Sequence, residues 1–217
     1  MRTIAIALLL TSFLKLSAQQ KKYFQQQANY KINVTLNDET HELNGHAEIE
    51  YTNHSDDTLK YLLFHLWPNA YKNTHTAYAK QALENKDTKF WFSTKYDKGY
   101  IDQLDFRADG SNVNWNLDSA HIDICKINLA KPLKPGETTI ITTPFHVHIP
   151  KTFSRLGHEG QSYQITQWYP KPAVYDNDGW HAMPYLDQGE FYSEYGSFEV
   201  AITLPKNYVV GATGYLQ

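Results

Sequence analysis

Period-two alternation is the strongest limit on what this chain can fold into. Over 30–36, Ile32, Val34 and Leu36 fall on one face. Over 42–51, Leu43, Ala47, Ile49 and Tyr51 share a face with Gly45, while Glu42, Asn44, His46, Glu48 and Glu50 fall on the other. Successive strand side chains point to opposite sides, so the pattern demands half-buried antiparallel strands. A helix would scatter the same residues around its circumference. The polar run NDETH at 37–41 is the turn between them.

The same reading continues along the chain. A strand is expected over 59–67, stopped by Pro68, and then one short helix over 76–85, where Ala79, Ala82 and Leu83 stand at helical spacing. Strands over 101–106 and 113–117 flank Asp109-Gly110, a pair that tolerates the positive φ of a tight hairpin. After a strand over 121–129, KPLKPGE at 131–137 is a turn, with Pro135 at its second position and Gly136 at its third. Strands then follow over 138–149, where Phe145, Val147 and Ile149 share a face, over 198–204 and over 208–212. Roughly ten strands and one helical insertion around 76–86 predict an all-β, saddle-like or sandwich-like antiparallel domain.

Sixteen Tyr, ten Phe and five Trp fit such a fold, because aromatic rings favour strands and bury large areas. Lys and Arg number 20 against 23 Asp and Glu, with no basic block, which argues against a nucleic-acid partner. Residues 1–18 read as a secretory signal: Arg2 is the charged start, 4–14 the apolar stretch, and Ser17-Ala18 the small residues before the cut. That stretch is shorter than the roughly twenty residues that cross a bilayer, although an uncleaved anchor is the alternative. Export to the periplasm, outer membrane or medium is therefore expected, with no membrane span once the signal is removed. Cys125 is the sole cysteine, so no internal disulfide is possible, and its apolar surroundings predict a buried, inert thiol.

Candidate chemistry is sparse. His41-Glu42 begins an H-E-x-x-H zinc motif, but Gly45 breaks it; His158-Glu159 fails at Ser162. His146 and His148 share a strand face without an evident third ligand. G-x-S-x-G and glycine-rich phosphate loops are missing. The acids Asp176, Asp178, Asp187, Glu190 and Glu194 do not meet calcium-loop spacing and read as solvated loop carboxylates. Trp168, Tyr169, Tyr175, Trp180, Tyr185, Phe191, Tyr192 and Tyr195 crowd one loop, where they serve either as a stacking platform or as core.

That loop carries a resemblance. The segments ITQWYPKPAVYD, GW, MPY, GEFYSEYGSFEV and VVGATG follow YKINVTLN, FHLWPNAYKN (64–73) and LKPGE in order. Together they resemble the N-terminal β domain of the aminopeptidase N and leukotriene-A hydrolase-like zinc metallopeptidases, the gluzincins, and most of all their secreted bacterial branch. The resemblance covers about 23–217, so the signal read at 1–18 is followed by the β domain at 19–217. It implies a saddle-shaped domain that packs on a downstream thermolysin-like catalytic domain and forms one wall of the peptide-binding cleft. The family's T-Q-x-E loop lies near the substrate's amino end, and Thr166-Gln167-Trp168-Tyr169 falls on it. Gln167, with Trp168 and Tyr169, is thus the expected substrate-binding set. Tyr169 stands where the family has Glu or Gln, which puts recognition of a free α-amine in question. H-E-x-x-H and its distant Glu do not occur, so zinc is expected in the catalytic domain and this chain alone is expected to be inactive. The alternatives are a free-standing exported module that binds peptide or carbohydrate through the aromatic loop, and a scaffold surface whose apolar face packs on partner domains.

Overall fold

The two long alternating strands are present as β1 (Gln27–Asn37) and β2 (Glu42–Thr52), paired antiparallel along their full length. The computed structural model describes residues 23–217; the expected signal at 1–18 lies outside the described residues. Further strands are β3 (Leu59–His65), β4 (Tyr100–Asp102), β5 (Arg107–Ala108), β6 (Ser111–Asn112), β7 (Asn114–Leu117), β8 (Ile124–Leu133) and β9 (Thr138–His148). After them come β10 (Gly157–Glu159), β11 (Ser162–Gln164), β12 (Lys171–Pro172), β13 (Val174–Asp176), β14 (Gly179–His181) and β15 (Phe198–Thr203). The helical insertion is α1 (Ala77–Glu84), preceded by a 3-10 turn at Trp67–Tyr71.

One sheet runs β15-β1-β2-β9-β5-β6, with β4 also on β9, and a second runs β12-β3-β8-β7. Their facing residues form one core: Ile32, Val34, Ile49 and Tyr51 from the first sheet meet Leu62, Phe64, Cys125 and Ile127 from the second. This is a sandwich, and it bears out the all-β expectation. Among the described strands every pairing is antiparallel except β1 with β15, which is parallel. Gly196 allows that approach, because a Cβ there would fall on the backbone carbonyl of Ala28.

Several expected boundaries shift for local reasons. The strand from 59 stops at His65, and Pro68 opens the 3-10 turn instead, where a missing N–H costs nothing. The strand expected over 101–106 is only three residues long, and Phe106 turns in to pack on Phe64 at 5.5 Å. The Asp109-Gly110 hairpin forms with φ of 50° and 77°. Its returning strand splits at Val113: β6 stays in the first sheet and β7 joins β8 in the second. No strand forms over 208–212, where Val209 is 95% exposed and has nothing to pack against.

A second, smaller core lies beside the sandwich. Trp67, Tyr71, Tyr78 and Phe90 from the insertion enclose Leu156 and Tyr185 from the later loops. Tyr185 lies 5.4 Å from Tyr71 and 5.8 Å from Tyr78. The insertion thereby anchors the aromatic loop, and with it the segment that carries the candidate site.

Candidate functional site

The segment from 165 to 171 crosses between the two cores. Thr166 starts it by donating through Oγ1 to the carbonyl of Arg155 at 2.6 Å. Gln167 follows at φ 54°, a left-handed conformation that is uncommon for a residue with a side chain. Trp168 and Tyr169 then pack on the sandwich core, Trp168 at 5.8 Å from Phe145, and Tyr169 at 5.6 Å from Tyr30 and 6.0 Å from Phe198. Lys171 enters β12 at the edge of the second sheet, opposite His65. Pro172 is admissible there because an edge strand leaves one row of N–H groups unpaired.

Lys171 is 4% exposed. Its Nζ donates to Gln167 Oε1 at 2.8 Å and to Ser193 Oγ at 2.6 Å, and it sits 4.1 Å from the centre of the Trp67 ring. Burial disfavours the charged amine and pulls its pKa down to about 7. His65 lies stacked on Trp67 at 4.3 Å, wholly buried, and neither ring nitrogen finds a partner among the described residues. Burial first, and the neighbouring Lys171 second, hold His65 down to about 3, so it is a neutral imidazole.

Glu194 follows Ser193 and is 8% exposed. Its Oε1 accepts from the Tyr175 N–H at 3.2 Å, and burial raises its pKa to about 7, with Asp176 adding repulsion. Asp176 is itself engaged by His181 Nε2 at 2.7 Å. Tyr175, Asp176, Tyr192 and Glu194 line a cavity of about 190 Å³ with residues 23–25.

The expected substrate-binding residues thus stay together in space but do different things. Gln167 is half-buried, with its oxygen committed to Lys171; none of the described residues accepts from its Nε2. Trp168 and Tyr169 are half-buried packing groups, and burial pushes the Tyr169 phenol up to about 12, so it stays neutral. Tyr185 and Phe191 pack around Trp67, and Trp180 sits between Tyr61 and Tyr175. Core packing therefore accounts for most of the loop's aromatic rings.

The two broken zinc motifs meet: the rings of His41 and His158 stack at 3.7 Å, and His41 Nδ1 lies 2.7 Å from the Tyr163 hydroxyl. His146 is held by Asp102 at 2.7 Å. No group of three or more His, Cys, Asp or Glu among the described residues is arranged to hold a metal. Cys125 is buried and free, its pKa raised by that burial.

Sequence reasoning missed Lys171 and Ser193, and the reading of Glu194 as a solvated loop carboxylate is corrected by its burial. The available signal was a lysine between two prolines that runs directly into the apolar pair Ala173 and Val174. A charge in that position is either an edge or a buried, partnered group.

No protein-family model matches the chain, and no curated protein matches it in sequence. Among solved structures it is similar to an M1 zinc metallopeptidase mutant from Deinococcus radiodurans bound to a Tyr-Ser-Ala substrate, at 14% identity over 91% of this chain and 36% of that one, with a TM-score of 0.46. A two-domain M1 zinc metallopeptidase mutant bound to L-arginine gives 12% identity over 85% and 33%, with a TM-score of 0.42. The M1 zinc metallopeptidase from Deinococcus radiodurans gives 14% over 86% and 33%, with a TM-score of 0.41. The chain spans about a third of the length of each. At these identities and scores the likeness says nothing of what this chain does.

Proposed function

We propose that this chain is the non-catalytic β domain of an exported zinc metallopeptidase of the aminopeptidase kind, and that it forms one wall of the peptide cleft. The observation that carries the reading is Gln167. It lies on the family's T-Q loop, is held at a left-handed φ of 54°, and is neither sealed in the core nor fully solvated. A backbone strain of this kind costs roughly 1–3 kcal/mol and persists where the surroundings over-determine it, commonly at functional sites. The ordered motifs and the sandwich support the same reading.

No described residues of this chain fit a zinc ion, so the metal belongs to a further domain under this proposal. Zinc there would polarise the scissile carbonyl and activate water. The part of this chain is to bind and orient: Gln167 offers an amide to the substrate, and Trp168 and Tyr169 brace the loop from behind. Among the described residues no helix is long and apolar enough to cross a membrane.

The test has two arms. The reading frame beyond codon 217 should encode H-E-x-x-H and a later Glu ligand. In the full-length product, Gln167→Ala should lower kcat/KM about 3- to 10-fold, the worth of one neutral hydrogen bond, without moving the unfolding midpoint. An unchanged specificity constant with folding intact removes Gln167 from the site.

A further inference from the structure

We infer that Gln167 presents donors alone to its ligand, so that the group it selects is a carbonyl or carboxylate oxygen and not a free α-ammonium, and that Lys171 imposes this choice. The inference rests on the cleft reading above and specifies its chemistry. A glutamine amide has two faces, an oxygen that accepts and an NH₂ that donates, and in isolation it serves either kind of ligand. Here the oxygen is taken. Lys171 Nζ lies 2.8 Å from it and, as an ammonium, has only donors to offer. Turning the amide over would set NH₂ against that amine. Lys171 cannot swing aside, because Ser193 Oγ at 2.6 Å and the Trp67 ring at 4.1 Å fix the same nitrogen and the side chain is buried.

The choice is enforced while Lys171 is an ammonium, which has no acceptor to offer. A neutral amine gains one lone pair, which either the Ser193 hydroxyl or a turned-over amide can fill, so the two probes are compared below pH 7. In the charged state Nε2 points its hydrogens away from Lys171, and none of the described residues accepts them. An incoming ammonium would meet these hydrogens, and the Lys171 charge behind them while it lasts. Tyr169 offers it no carboxylate, only a neutral phenol. An oxygen acceptor completes the arrangement.

The test uses the ¹⁵N-labelled full chain and two probes that share a ring: N-acetylphenylalanine, with oxygen acceptors and no ammonium, and phenethylamine, with an ammonium and no carbonyl. N-acetylphenylalanine should shift the Gln167 side-chain NH₂ signals saturably and bind there at least about tenfold more tightly. Lys171→Arg should keep the preference and Lys171→Met should erase it. Equal binding of phenethylamine at Gln167 in the unsubstituted chain, or a preference that survives Lys171→Met, overturns the proposal. A measurement without ligand separates the clamp from the cleft. The Gln167 NH₂ signals should move as Lys171 titrates near pH 7 and should lose that response in Lys171→Met. Glu194 titrates in the same range and His65 well below it, so the variant, which keeps both, assigns the response. A pH-silent amide overturns the clamp. A pH-responsive amide that neither probe shifts overturns the cleft reading, and the selectivity with it.

Discussion

The ring of Phe145 in β9 lies over the bare backbone of Gly45, its partner in β2, and its centre is 5.8 Å from that of Trp168. A glycine in a central strand is normally a weakness, but here the ring fills the strip that a side chain would occupy. A Cβ added at Gly45 would overlap that ring. Gly45→Ala should destabilise the chain by about 1–3 kcal/mol in urea unfolding, the usual cost of overpacking. Gly45→Ala with Phe145→Leu should lose less than the sum of the single changes, because the two sites share one volume.

Two buried charges pull stability in opposite directions. Lys171 has its folded pKa lowered to about 7 against an ordinary 10.5. Between those values the unfolded chain binds the extra proton, so stability rises with pH over that window. Glu194 is raised to about 7 against an ordinary 4.5; there the folded chain binds the extra proton, and stability falls as pH rises from 4.5 to about 7. His65, held at about 3 against an ordinary 6.5, adds stability as pH rises between those values and offsets most of the fall from Glu194. The sum in urea unfolding across pH 4–10 is a shallow limb up to about pH 7 and a rise above it that Lys171 sets. Glu194→Gln should gain about 1–3 kcal/mol at pH 8 and nothing at pH 4. A stability curve that instead falls above pH 7 would show that Lys171 does not titrate as its burial demands.

The helical insertion depends on one hydroxyl. Thr76 Oγ1 accepts from the Ala79 N–H at 3.2 Å as an N-cap and donates to the Ala70 carbonyl at 2.7 Å. Thr76→Ala should cost about 1–2 kcal/mol, while Thr76→Ser should recover most of it. Since α1 and the aromatic loop share a core around Tyr185, the loss should also speed hydrogen exchange at Tyr185, whose N–H donates to Asp123 Oδ2 at 2.6 Å.

Cys125 is wholly buried between the sheets with its thiol pKa raised. A thiol reagent at pH 8 should leave the folded chain unmodified and label it stoichiometrically in denaturant. Rapid labelling of the folded chain would show that the sandwich opens locally at β8.

How far the site was legible follows from the distances involved. Gln167 was singled out because it stands in a contiguous motif. Lys171, which holds its oxygen, has its other partner Ser193 at 2.6 Å but 22 positions along the chain, and His65 reaches Lys171 only through the pairing of β12 with β3. No local pattern announces such a contact. Lys171 in isolation reads as a solvent-facing cation, and only enclosure by Trp67 and Ser193 makes it a fixed donor.

The sequence by itself determined the long strands β1, β2, β3, β8, β9 and β15, the inward and outward faces of β1 and β2, and the tight turns, because side-chain alternation and the φ preferences of Asp109, Gly110, Pro135 and Gly136 act within a few residues. Tertiary structure alone decided that β15 runs parallel beside β1, that the aromatic loop is packed against α1, and which atom of Gln167 faces outward. Those outcomes depend on surfaces that meet only after the chain has folded, when burial fixes what each polar group can reach.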